Sequence, residues 1–217
     1  MGPSPVLARL WSVYLRTPRQ STSTDEHVHG LGIPGTLLIV DQCDPATVER
    51  ARAGDAEAFS CLVESHWLPL VRFARSIVGD TEAEDAVQES FLAAWKKLGT
   101  LEKAGSFDSW MLRIVSRRCF RRASLIARFL PWIAGPGVPE PAVGASTGEF
   151  EVERILSVLP PRQRAVMHLT VIEGMSDAEI GRVLGIRAAS ARSHRQRARQ
   201  ALAGLLRNSG RASEEVA

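Results

Sequence analysis

Arg192, Ser193, Gln196 and Arg197 fall on one side of a helical wheel whose other side carries Ala191, Ala198, Leu202 and Leu205. A guanidinium fork can donate two parallel hydrogen bonds to guanine, and a carboxamide pairs with adenine in a similar way. These four side chains are therefore a set suited to reading base edges in a major groove. The surrounding stretch is free of acid: Ile180 to Ser213 holds eight arginines and no Asp or Glu. A solvated helix ordinarily mixes both signs, so such a run points to a polyanion. Arg195 lies at the edge of the apolar stripe; the expectation is that its stem packs while its head snorkels out to a phosphate.

A second cationic set lies upstream. Arg113 to Arg128 contains six arginines and no acid, with Trp110 and Phe107 just before it. Arginines with interleaved aromatics suit a single strand: cations track the phosphates, and each base stacked on a ring is held by ~1–3 kcal/mol. At helical spacing the same aromatics equally suit a core, and the sequence leaves both open. Asp80 to Glu89 has the opposite character, with five acids and no base. Asp85, Gln88, Glu89 and Leu92 lie away from the apolar side formed by Val87, Phe91 and Leu98. Phosphates repel such a surface, so it is either solvated or docks a basic protein. The sequence shows no phosphate-cradling glycine loop, metal-ligand cluster or nucleophile–base pair, so neither enzymatic chemistry nor a metal or cofactor is expected. His27 and His29 lack the Cys or carboxylate partners of a metal site.

The elements that must position these residues are helical throughout. The 217 residues are 45% hydrophobic with a net charge of +3, enough for one or two small domains. Residues 1–44 are weakly periodic and are expected to be a disordered extension, with Leu37–Val40 as an isolated strand candidate. Residues 45–128 form a first helical domain. Phe59, Leu62, Val63, His66, Leu70, Phe73 and Ile77 recur at three- and four-residue intervals, with a kink expected at Pro69. Thr81-Glu-Ala-Glu84 has the pattern of a capping box opening the next helix to Leu98, and a further helix is expected from Asp108 to Arg122. Residues 129–149 are rich in proline and glycine and read as a flexible linker. A second domain spans 150–207, followed by a tail at 208–217. Its helices open at Leu159-Pro-Pro-Arg-Gln-Arg164, at the capping box Ser176-Asp-Ala-Glu179 and near Ala189, with Gly174 and Gly185 as breaks. Cys43, Cys61 and Cys119 have no zinc spacing and are expected to be reduced thiols. With no apolar run of membrane-spanning length and no leader pattern, the expectation is a cytoplasmic protein without membrane insertion.

In this order the segments resemble bacterial RNA polymerase sigma factors of the extracytoplasmic-function (ECF) group. Gly54-Asp-Ala-Glu-Ala-Phe59 is similar to that group's opening. Glu84-Asp-Ala-Val-Gln-Glu89 with Phe91 and Trp95 resembles its polymerase-binding helix. Phe107, Trp110, Arg113 and Ile114 resemble its downstream-promoter helix. Leu159–Arg164, Glu173–Ile180 and Arg197–Gln200 resemble its C-terminal helix-turn-helix. The resemblance implies an all-α protein of two small helical domains, similar to sigma regions 2 and 4. It would bind core RNA polymerase and direct initiation at promoter DNA, duplex at the −35 element and melted strand at −10. The polymerase contacts implied are Asp85, Gln88 and Glu89. The −10 contacts implied are Trp110, Arg113, Arg117 and Arg121 with the Gly99–Phe107 loop, and the −35 readers Arg192, Ser193, Gln196 and Arg197. An anti-sigma partner is expected by analogy.

The chain departs from the family pattern in places. Ser116-Arg117 replaces the usual Arg-Asn, Arg187-Ala-Ala-Ser190 the usual Pro-Val-Gly-Thr, and Arg195 an aliphatic residue. Residues 1–44 have no counterpart in the two-domain form. The rival readings are a stand-alone helix-turn-helix regulator that needs no polymerase, and an inhibitory interaction module that binds no DNA.

Overall fold

The computed structural model describes residues 44–134 and 158–214, and among them every regular element is helical. Residues 1–43, with the Leu37–Val40 strand candidate, Cys43 and the two histidines, lie outside the described residues, as do 135–157 and 215–217. Asp44 caps α1 (Pro45–Arg52) by accepting from the Ala46 amide at 3.1 Å, and Pro45 sits in the first turn, where no N–H partner is needed. Gly54, at φ 95°, reverses the chain, and Arg50 holds Asp55 across the turn at 2.5 Å. Asp55 then caps α2 (Ala56–Val78), accepting from the Glu57 and Ala58 amides. The Ala58 amide and Arg50 hold its carboxyl below the ordinary range. Phe59, Leu62, Val63, Leu70, Phe73 and Ile77 are all buried, and the helix continues through a buried Pro69.

The next helix starts differently from the expectation. Its cap is Gly79, at φ 81°, with no side-chain bond, and α3 (Asp80–Lys97) begins before Thr81. The Thr81–Glu84 pattern is therefore inside the helix rather than a capping box. Glycine's freedom at positive φ lets the chain turn directly into the helix, and Arg75 draws Asp80 (3.2 Å) and Glu84 (3.6 Å) back towards α2. Two short 3-10 turns, Leu98–Thr100 and Ala104–Ser106, lead into α4 (Phe107–Ala134). Fully buried His66 on α2 places its start: Nε2 meets Asp108 Oδ1 at 2.9 Å and Nδ1 meets the Leu62 carbonyl at 2.8 Å. Phe59 anchors the centre, edge-on to Phe91 and 4.8 Å from Trp95. Beyond Arg128 the helix runs on to Ala134, because the glycines that dominate the following composition begin only at Gly135.

The second unit contains α5 (Pro161–Val171), α6 (Asp177–Leu184) and α7 (Ala188–Glu214). It docks on the first, α5 against α2 and α6 against α4, and the buried apolar side chains of both halves form one core. Several contacts tie the halves together. Phe73 meets His168 edge-on at 5.4 Å. Arg164 donates to the carbonyl of Ile77 at 2.8 Å, satisfying an acceptor in the last turn of α2. Arg162 lies 5.0 Å over the Phe120 ring.

Candidate nucleic-acid interface

The helix-turn-helix is built from local chemistry that the sequence carries openly. Ser176 Oγ accepts from the Glu179 amide, and Glu179 accepts from the Ser176 amide at 2.8 Å, a complete capping box. The Ser176 hydroxyl, then its amide, hold the Glu179 carboxyl below its usual range. Gly185, in the left-handed region at φ 68°, ends α6, and the amides of Gly185 and Ile186 both return to the Gly181 carbonyl. Gly181, a residue the sequence pattern does not single out, lets the turn close. A Cβ there would meet Ile186 O at 2.8 Å and Ala188 N at 3.2 Å.

That turn presents α7. Ala191 and Ala198 are buried, Leu202 is partly buried, and Arg192, Gln196 and Arg197 are exposed with Ser193 beside them. The four expected base readers thus share one open face. Arg195 does not reach outwards as expected. Its Nη2 donates to Asp177 Oδ2 at 2.9 Å, and Arg192 Nε donates to the same oxygen at 3.3 Å. The carboxylate at the start of α6 gives the partly buried Arg195 a partner within the chain. Residues 15 and 18 positions apart leave no periodic signal, so this contact was not legible.

The upstream arginines divide into two groups. Arg117 and Arg121 are exposed on α4, as is Arg113, whose guanidinium donates to the Arg182 carbonyl of α6. Arg118 and Arg122 turn the other way. Arg118 donates to Glu89, and Arg122 bridges Glu82 at 2.5 Å and Glu89 at 2.8 Å. These two arginines lock α4 to α3, which corrects the expectation that the whole cluster faces phosphate; helical periodicity alone does not tell which cations meet acids from a neighbouring helix. Trp110 is half-buried, packed on the core with its ring 6.0 Å from Phe107. Its remaining surface lines a cleft of about 790 Å³ between the two halves, with Arg113, Lys103, Glu173, Glu179 and Arg182.

On the acidic helix, Asp85 is exposed and Gln88 half-buried. Glu89 is 46% exposed and engaged by Arg118 and Arg122. Partial burial opposes its ionisation, but the two cations outweigh that and hold its carboxyl below the usual range. Among the described residues no group of His, Cys and carboxylates could hold a metal, and no helix is long and apolar enough to cross a membrane. Burial pushes the Cys119 thiol up to about 12, an unreactive core residue, while Cys61 is exposed.

The family models for Sigma-70 region 2 and Sigma-70, region 4 match residues 62–128 and 149–202. The chain is 33% identical over 179 residues to the RNA polymerase sigma factor NccH of Alcaligenes xylosoxydans xylosoxydans, covering 76% of this chain and 96% of that protein. It belongs to the ECF group of RNA polymerase sigma factors. The ECF sigma factor SigM of Mycobacterium tuberculosis is 33% identical over 159 residues, covering 71% of this chain and 80% of SigM. Among solved structures, CnrH in complex with the cytosolic domain of CnrY matches with a TM-score of 0.58 at 29% identity, over 76% of this chain and 97% of that one. RpoE in complex with the anti-sigma factor NepR from Bartonella quintana matches at 0.53 and 25%, over 64% and 91%. The sigma factor reading displaces that of a stand-alone regulator, because region 2 accompanies the helix-turn-helix.

Proposed function

We propose that this sigma factor reads duplex −35 DNA with Arg192, Ser193, Gln196 and Arg197. Trp110, Arg113, Arg117, Arg121 and the Gly99–Phe107 loop receive the melted −10 strand, and Asp85, Gln88 and Glu89 dock core RNA polymerase. The observation that carries this is the open cationic face on α7, on a capped helix-turn-helix, paired with a second arginine face on a separate helical unit. The −10 and −35 elements lie about 25 base pairs apart, roughly 85 Å at 3.4 Å per step. A docked body of this size measures only on the order of 40 Å across. The two units must therefore separate on a promoter. Separation frees Arg113 from the Arg182 carbonyl for the strand. The sigma factor performs no chemical step itself and acts in the cytoplasm, where catalysis belongs to polymerase. The solved complexes of CnrH with CnrY and of RpoE with NepR support an anti-sigma protein as a further partner. The test is run-off transcription on genomic fragments with purified core polymerase. Start sites that require this chain are expected; none at any fragment would overturn the reading.

A further inference from the structure

We infer that Asp177 is a positioning residue that sets base discrimination at the −35 element by aiming Arg192 and by holding Arg195 off the DNA. The inference rests on the assignment of the α7 face to duplex reading. Asp177 is the first residue of α6, on the helix that supports α7, and its side chain is only 11% exposed. Its Oδ2 takes both bonds, from Arg192 Nε and Arg195 Nη2. Its Oδ1 is buried with no hydrogen-bond partner, so both arginines bear on a single oxygen. The arginines lie three residues apart on α7 and differ in exposure, 65% for Arg192 and 30% for Arg195.

The chemistry follows from which nitrogens are occupied. With Nε of Arg192 bonded to the carboxylate, the plane of the guanidinium is restrained. Its terminal nitrogens, Nη1 and Nη2, take no part in that bond and are left as a pair able to meet O6 and N7 of guanine. An arginine swinging freely would meet phosphates as readily as bases, and phosphate contacts carry no sequence information. Arg195 would be such a cation, but its charge is drawn inwards to the same oxygen. Asp177 thus trades sequence-independent affinity for selectivity: it directs one arginine at a base and withdraws its neighbour from the backbone.

The test uses the full chain in two assays. Transcription by the holoenzyme from templates randomised across the −35 element reads base preference. Anisotropy with an unrelated duplex across a salt series reads sequence-independent binding. Asp177→Ala is expected to weaken the guanine preference at one −35 position about tenfold, within the range a bidentate contact supplies. It is expected to tighten binding to the unrelated duplex, with a log–log salt slope steeper by about 0.9 as Arg195 gains a phosphate. Asp177→Asn, which retains an acceptor oxygen, keeps part of the preference. The double variant Asp177→Ala/Arg195→Ala returns the salt slope to that of the parent but leaves the preference weak. A merely structural Asp177 would instead lower specific and unspecific binding together, and that result overturns the inference. An unchanged guanine preference in Asp177→Ala overturns it too. If Arg192→Ala flattens the preference at one position while Asp177→Ala does not, only the role of Asp177 falls. If Arg192→Ala leaves the whole −35 profile intact, the α7 assignment itself falls, and the inference with it.

Discussion

Replacing Gly181 by alanine sets two opposed effects against each other, and the structure decides between them. Alanine in a helix interior is favoured over glycine by roughly 0.5–1 kcal/mol, so propensity alone makes Gly181→Ala stabilising. The new Cβ, however, would stand 2.8 Å from Ile186 O, 3.2 Å from Ala188 N and 3.5 Å from Ala188 Cα. All three are backbone atoms, so no side-chain rotation relieves the contact. The turn they belong to is also tethered, because the Ile186 amide donates to the carbonyl of Gly181 itself at 3.0 Å. Moving it away strains that bond and shifts the start of α7. Overpacking of this kind costs about 2 kcal/mol at mid-range, so against the propensity gain the net effect is destabilising by about 1 kcal/mol. Gly204, inside α7, is the control: its Cβ would meet nothing within 4 Å, and Gly204→Ala is expected to stabilise by about 0.5–1 kcal/mol. Urea titration of both variants, followed by helix content, measures the pair. Gly181→Ala with unchanged or raised stability refutes the argument that the turn backbone cannot yield.

Three further outcomes are expected. His168 is buried, and desolvation, followed by the charge of Arg72, holds its imidazole down at about 4, below an unfolded value of 6.5. The unfolded chain therefore binds the extra proton between these values. Stability should fall by on the order of 3 kcal/mol as pH drops from about 6.5 to about 4 and be insensitive to this group above that window. Urea midpoints across pH for the parent and for His168→Gln check this, with Glu173, 3.9 Å from the ring, held constant. Arg164→Met removes the bond to the Ile77 carbonyl and should weaken docking of the two units by about 1.5–3 kcal/mol, visible as a larger radius of gyration in solution scattering. Asp85→Arg, on an exposed position, should change stability by no more than about 0.5 kcal/mol while lowering capture by core polymerase at least tenfold in a pull-down titration.

Local chemistry was legible where neighbours in sequence are also partners in space. Ser176 and Glu179 sit three residues apart, and the box they form needs only that spacing. The apolar repeat of α2 likewise announces its buried face, and the wheel of α7 separates Ala191 and Ala198 from Arg192 and Arg197. Thr81 and Glu84 show the limit of such patterns: the same spacing was present, but Gly79 turned the chain two residues earlier and left Thr81 inside the helix. A capping box is a competition between possible starts, and backbone freedom at a glycine can win it.

The sequence by itself determined that this is an all-helical chain with two arginine faces and one acidic helix, because periodicity, caps and charge runs are properties of short stretches. Only the tertiary structure decided which charges remain available. Arg118 and Arg122 are neutralised by Glu82 and Glu89 across a helix pair. Arg113 bonds to the second unit, and Arg195 turns in towards Asp177. Coulombic attraction depends on distance in space and not on separation along the chain. A row of arginines in sequence therefore becomes a binding face only where folding leaves guanidinium nitrogens that no carboxylate occupies.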